Sequence, residues 1–182
     1  MQLTRWLIFS IAASLLVLAA CGDDGDGDGD DDAASAFELF SALAGEWSGV
    51  WNNDTFGSSA PITMSIVVND DGTASFSFDL PAADSGWPFD LIAVGPQAFD
   101  GTYDENGLRV AVTGDGLFGD VTVTITPDGQ LTASATMEGA LDIDSLTVEG
   151  TFTGDGLDVT YTVTFPEPAV SDATGSATLT KQ

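Results

Sequence analysis

Acids are the only abundant reactive side chains in this 182-residue chain. There are 29 aspartates and glutamates, three lysines and arginines, no histidine and one cysteine. Paired carboxylates can act as general acid and base, and carboxylates gathered around a loop can hold calcium. Asp115, Asp120, Asp142 and Asp144 are the candidates for such a gathering at loop ends. Most other acids fall in turn sequences, at Asp70-Asp71, Asp104-Glu105, Asp128 and Asp155, where aspartate is a turn former. Without histidine or a free cysteine in the domain, no Ser-His-Asp or Cys-His arrangement can form. Zinc would be left with carboxylates alone, which suit it poorly. The expectation is a non-catalytic protein with no cofactor and no defined metal site. A formal charge of −26 also argues against a nucleic-acid partner.

The cysteine points to a different chemistry. Residues 1–20 carry one early cation, Arg5, then the apolar run "WLIFSIAASLLVLAA". A charged start, a short apolar middle and small residues before a cut make a secretory signal; a membrane span needs about 20 apolar residues. Leu18-Ala19-Ala20-Cys21 resembles the lipobox of bacterial lipoproteins. The resemblance implies that residues 1–20 are removed and that Cys21 carries lipid, palmitate among its acyl chains. It implies an exported chain anchored to a membrane. Gly22 after the cysteine, in place of aspartate, implies the outer membrane rather than the inner one. With Cys21 lipidated, no disulfide is possible and the core alone must supply stability.

Residues 21–36 follow as the lipidated cysteine and a tether. "GDDGDGDGDDDAASA" holds seven aspartates, which repel one another and bury nothing, so disorder is expected. Asp24, Asp26, Asp28 and Gly29 match the opening of an EF-hand loop, but its twelfth position is Ser35, where a bidentate Glu is required. Ser35 and Glu38 then read as a capping box. Phe37, Phe40, Leu43 and Ala44 share one face of a short helix that Gly45 can end.

From Glu46 the apolar period switches from helical to two. Ile62, Met64, Ile66 and Val68 alternate with polar residues, as do Ala74, Phe76, Phe78 and Leu80. Later runs repeat the pattern, with Thr122-Thr124-Thr126, Thr160-Thr162-Thr164 and Thr174-Ser176-Thr178-Thr180 on the opposite face. Strict alternation with one apolar face predicts half-buried antiparallel strands. About ten are expected, at 45–54, 60–69, 73–81, 97–104, 107–114, 119–127, 130–139, 145–153, 157–165 and 173–181. A further short strand at 89–94 is possible inside the one long link. "FDGTYDENGLRVAVT" aligns with "VEGTFTGDGLDVTYT", so one hairpin unit occurs twice. Consecutive hairpins give an all-β, antiparallel up-and-down meander of about 8–10 strands over residues 37–182. It closes into a barrel capped by the short N-terminal helix or, as the alternative, splits into a sandwich.

Gly45-Glu46-Trp47, just after a short helix and at the head of the first strand, resembles the G-x-W signature of lipocalins and the wider calycin group. The resemblance implies a barrel with one end closed by the helix, a motif tryptophan packed in that end, and a small hydrophobic ligand inside. It places Phe37, Phe40 and Trp47 at the barrel floor. Two features depart from the family. Lipocalins have an arginine near the last strand that stacks on the motif tryptophan, and here only Lys181 is present. Fatty-acid-binding relatives hold a carboxylate with an internal arginine, whereas alternation puts Arg109 on the outer, threonine-rich face.

Any ligand should therefore be small, neutral and apolar. Trp51, Met64, Phe76 and Phe78 are expected to line its site, with Trp87 and Phe89 at the mouth. Trp47, Gly49 and Trp51 share one face of the first strand, and Gly49 either leaves room between the rings or marks a bend. The competing reading is a structural surface lipoprotein with a packed core and an acidic, cation-binding exterior. In either case a monomer is expected, held at the membrane by its lipid.

Overall fold

A computed structural model describes residues 29–80, 94–116, 118–136, 143–166 and 171–182. Cys21, the apolar leader, Trp87, Phe89, Asp142 and the possible strand over residues 89–93 lie outside the described residues.

Ten antiparallel strands follow one helix: α1 Gly29–Ser41, β1 Gly45–Asn53, β2 Ser58–Val68, β3 Thr73–Leu80, β4 Val94–Asp104, β5 Gly107–Asp115, β6 Gly119–Ile125, β7 Gln130–Ala135, β8 Ser145–Thr153, β9 Gly156–Thr164 and β10 Ala173–Lys181. Each strand pairs with its neighbours in sequence, and β1 also pairs with β10, so the sheet closes into a barrel. Closure gives every described strand two neighbours and removes the sandwich alternative, although the β4–β5 ladder is short, joining Gly101–Asp104 to Gly107–Val110. The apolar faces turn inward. Ile66, Leu108, Val110, Ile125, Leu157 and Val163 are essentially inaccessible. The threonines lie outside, the inverse of a barrel that turns its apolar face to lipid.

The repeated hairpin is the same structure twice. In β4–β5, Gly101 pairs with Val110, Thr102 with Arg109 and Tyr103 with Leu108. In β8–β9, Gly150 pairs with Val159, Thr151 with Asp158 and Phe152 with Leu157. The shared aromatic, Tyr103 or Phe152, points inward beside the turn in both units and is buried.

The helix differs from expectation at both ends. It begins at Gly29, so residues 29–36 are helical rather than part of a disordered tether, and Ser35 lies within the helix instead of capping it. The sequence explains this. Asp30, Asp31 and Asp32 bring negative charge to the first turn, where the helix dipole favours it, and Ala33, Ala34 and Ala36 are strong helix formers. The helix ends at Ser41, before Gly45. Its last turn tightens through Leu43 N–H to Phe40 O (2.9 Å) and Ala44 N–H to Ser41 O (3.1 Å).

Candidate functional site

The barrel interior divides into a floor, a cavity and a mouth. At the floor, Phe40 of α1 is buried and packs on Tyr103 with ring centroids 5.6 Å apart. Phe37 is partly buried against the same core. Trp47 is 1% exposed and meets Phe152 edge-on at 5.4 Å. Its Nε1–H donates to Leu43 O at 3.1 Å, tying the turn after the helix to the head of β1. Lys181 sits directly opposite Trp47 in the β1–β10 register. Its Nζ donates to Ala42 O at 2.7 Å. The last strand thus brings a cation to this end after all, but as a cap on the helix. Phe40 and Trp47 are thus buried at the helix end of the barrel. Tyr103 and Phe152 complete the floor, and the aromatic shared by the two repeats was the signal that could have found them.

Gly49 separates the two inward tryptophans for a reason other than room between rings. A side chain there would run into the carbonyl oxygen of Thr178 and lie 2.8 Å from Leu179 Cα. The glycine lets β10 approach β1 closely where the barrel closes.

Above the floor lies a cavity of about 200 Å³. Trp51, Met64, Phe76 and Phe78 all line it, as does Leu80. Its walls differ in character. On one side Phe78, Phe99 and Phe118 pack together, with Phe118 edge-on to Phe78 at 5.7 Å and to Phe99 at 6.3 Å. Across the barrel the wall is aliphatic and small, with Ala133, Ala135 and Ala177 among its residues. Among the described residues, no charged side chain lines the space. Arg109 is on the outside, as expected, 3.3 Å from Asp104. The Asn106 backbone amide, and then this guanidinium, hold Asp104 below the usual carboxylate range. Phe118 was not foreseen. The β5–β6 register shifts between Val112 and Asp115, so alternation does not reach it.

At the mouth, Tyr161 lines the cavity and its hydroxyl donates to Asn52 O at 3.0 Å. The ring lies over Gly175, where a side chain would collide with Tyr161 Oη and Asn52 O. Burial, then the nearby Asp54 carboxylate, push the phenol up to about 12, so it is uncharged at neutral pH. One further group of side chains stands beside it. Asn53 and Ser58 face each other across β1 and β2, one inner-face step beyond Trp51. Trp51 Nε1, Asn53 Nδ2 and Ser58 Oγ are all buried, and none has a hydrogen-bond partner among the described residues.

Two of the four candidate loop acids bond to backbone amides of the fold. Asp115 Oδ1 accepts from Phe118 N–H at 2.8 Å and Asp120 Oδ1 from Gly114 N–H at 3.0 Å. Among the described residues, no three metal-ligating side chains gather to hold an ion.

The fold and site define a class: an up-and-down antiparallel barrel, floored by a helix and hollow at its centre, with an uncharged lining. Among solved structures, the chain is similar to Rv2717c from M. tuberculosis, with a TM-score of 0.52 and 14% identity over 80% of this chain and 96% of that one. At that identity the likeness is one of fold. No family model matches the chain, and no curated protein matches it.

Proposed function

We propose that this chain is an exported, lipid-anchored carrier, held at the membrane through Cys21, whose barrel takes up a small neutral apolar molecule. The observation that carries the reading is the void between the aromatic wall and the alanine wall. At about 24 cal/mol per Å³, an empty volume of 200 Å³ withholds on the order of 5 kcal/mol from the fold. That is a large share of the 5–15 kcal/mol by which domains are stable. Larger residues at Ala133, Ala135 or Ala177 would recover it, so a core selected for packing alone would not leave this space. An apolar cavity of about 150 Å³ stays dry and admits a benzene-sized molecule, which sets the scale of the ligand. An uncharged lining favours a neutral one, because a buried charge without a partner is costly.

Native mass spectrometry of the full chain, extracted gently from the producing cell, tests the carrier. An added small-molecule mass supports it. A clean apo mass, together with no thermal stabilisation by α-methylstyrene, refutes it. The anchor is tested separately by labelled palmitate: incorporation lost in Cys21→Ser supports the lipid assignment, and incorporation retained overturns it.

A further inference from the structure

The three unpartnered polar atoms at the mouth say more about the ligand. Trp51 is 6% exposed, Asn53 1% and Ser58 8%. Buried polar groups almost always find a partner, so three orphans in one patch call for a physical reason. They adjoin in the sheet: Trp51 pairs with Ala60, and Asn53 pairs with Ser58. Of the three, Trp51 lines the cavity, and Asn53 and Ser58 lie one inner-face step beyond it toward the mouth.

The chemistry of the orphans is one-sided. An indole N–H and an amide NH₂ can only donate, and a serine hydroxyl can donate or accept. What all three can share is an acceptor. Asn53 Oδ1 accepts from Phe56 N–H at 2.9 Å, and the Asn53 amide faces the Tyr161 oxygen, which donates to Asn52 O and keeps lone pairs to accept; Trp51 Nε1–H and Ser58 Oγ have no such neighbour among the described residues. The acceptor must be neutral, because neither domain cation is at hand. Arg109 pairs with Asp104 on the outer face and Lys181 caps the helix at the floor.

We infer that the ligand of the barrel is a ring-sized apolar molecule bearing a neutral carbonyl oxygen, which Trp51 Nε1–H receives toward the mouth, on the side of Ser58. The inference rests on the carrier reading and narrows it to a ligand class. The hydrocarbon body lies against the phenylalanine wall, and the oxygen points to β1 and β2. The three atoms are sealed from solvent, so receiving the oxygen requires the Trp51 indole to turn its N–H toward the cavity that it lines.

Acetophenone and α-methylstyrene have the same shape, with a carbonyl oxygen in one where the other has a CH₂ group. Their dissociation constants are measured for the full chain and for Trp51→Phe in one detergent, so that partition into micelles divides out of the comparison. The ratio of the two constants should move about five- to tenfold against the ketone in Trp51→Phe, as the net worth of one hydrogen bond requires. In the unsubstituted chain, acetophenone alone should shift the Trp51 indole ¹⁵N–¹H resonance downfield. The Trp47 resonance, already bonded to Leu43 O, should hold still. This second measurement decides the matter if Trp51→Phe fails to fold. If α-methylstyrene binds but the ratio and the indole resonance are unmoved, the carbonyl site is wrong and the carrier stands. If neither probe binds, both fall.

Discussion

Replacing Ala133 with leucine adds three carbons to the small-residue wall of the cavity. Ala133 is an inner-face residue of β7, paired with Val123 on one side and Val148 on the other, and it lines the void. At about 0.8 kcal/mol per buried CH₂, the added carbons contribute about 2.4 kcal/mol. Fixing the leucine rotamers costs about 0.5–1 kcal/mol of that. The expected net gain is about 1.5 kcal/mol. In a domain of about 150 residues, that raises the thermal midpoint by about 3–6 °C. Circular dichroism melts of both chains measure it. Thr132→Leu is the control: the same side chain enters the outer face of the same strand, where Thr132 is exposed, and no rise is expected. The filled variant should also lose thermal stabilisation by α-methylstyrene. A midpoint that falls for Ala133→Leu would refute the reasoning, because overpacking a filled core costs about 1–3 kcal/mol and the interior would then hold no void.

Other perturbations test other parts of the barrel. The Tyr161 phenol has a higher pKa folded, about 12, than in the unfolded chain, about 10. The folded state therefore holds its proton more tightly. That contribution is complete below pH ~10 and is lost as pH rises toward 12. Urea midpoints should fall across this window, and Tyr161→Phe should flatten part of the fall; an unchanged profile would remove the phenol from the account. Gly49→Ala should destabilise the barrel by about 1–3 kcal/mol because β10 must back away from β1. A neutral result in urea melts would show that the strand approach has slack. Raising salt from 0.1 to 1 M shortens the screening length from about 10 Å to 3 Å, which should raise the thermal midpoint of a chain at −26. A midpoint that falls or stays flat would mean that self-repulsion is not a significant cost.

Much of the barrel was legible in the sequence because a half-buried strand has period two and each turn carries its own residues. Trp47, Trp51, Met64, Phe76 and Phe78 fall on the inner face by counting alone. The helix over residues 29–36 was not legible because charge repulsion and helix-terminal charge compete there, and composition does not say which wins. Phe118 escaped because it follows a register shift, where alternation carries no information. The orphaned atoms of Asn53 and Ser58 were invisible for another reason. Both residues are common in turns and on wet faces, and their burial depends on a closed sheet that no local pattern reveals.

The bond from Lys181 to Ala42 joins residues 139 apart in sequence, and it lies on the same seam that pairs β1 with β10. During synthesis, β1 gains β2 as a neighbour early, but its other flank stays open until almost the whole domain has emerged. The floor stays incomplete for the same interval, since both Lys181 and Phe152 arrive late. The seam is the longest-range pairing of the sheet, and folds rich in contacts of such separation fold slowly. An open β1 flank is an invitation to pair with other strands. Folding yield should therefore depend on what occupies that flank while β10 is awaited, which makes residues 173–182 the segment where truncation or tagging does most harm.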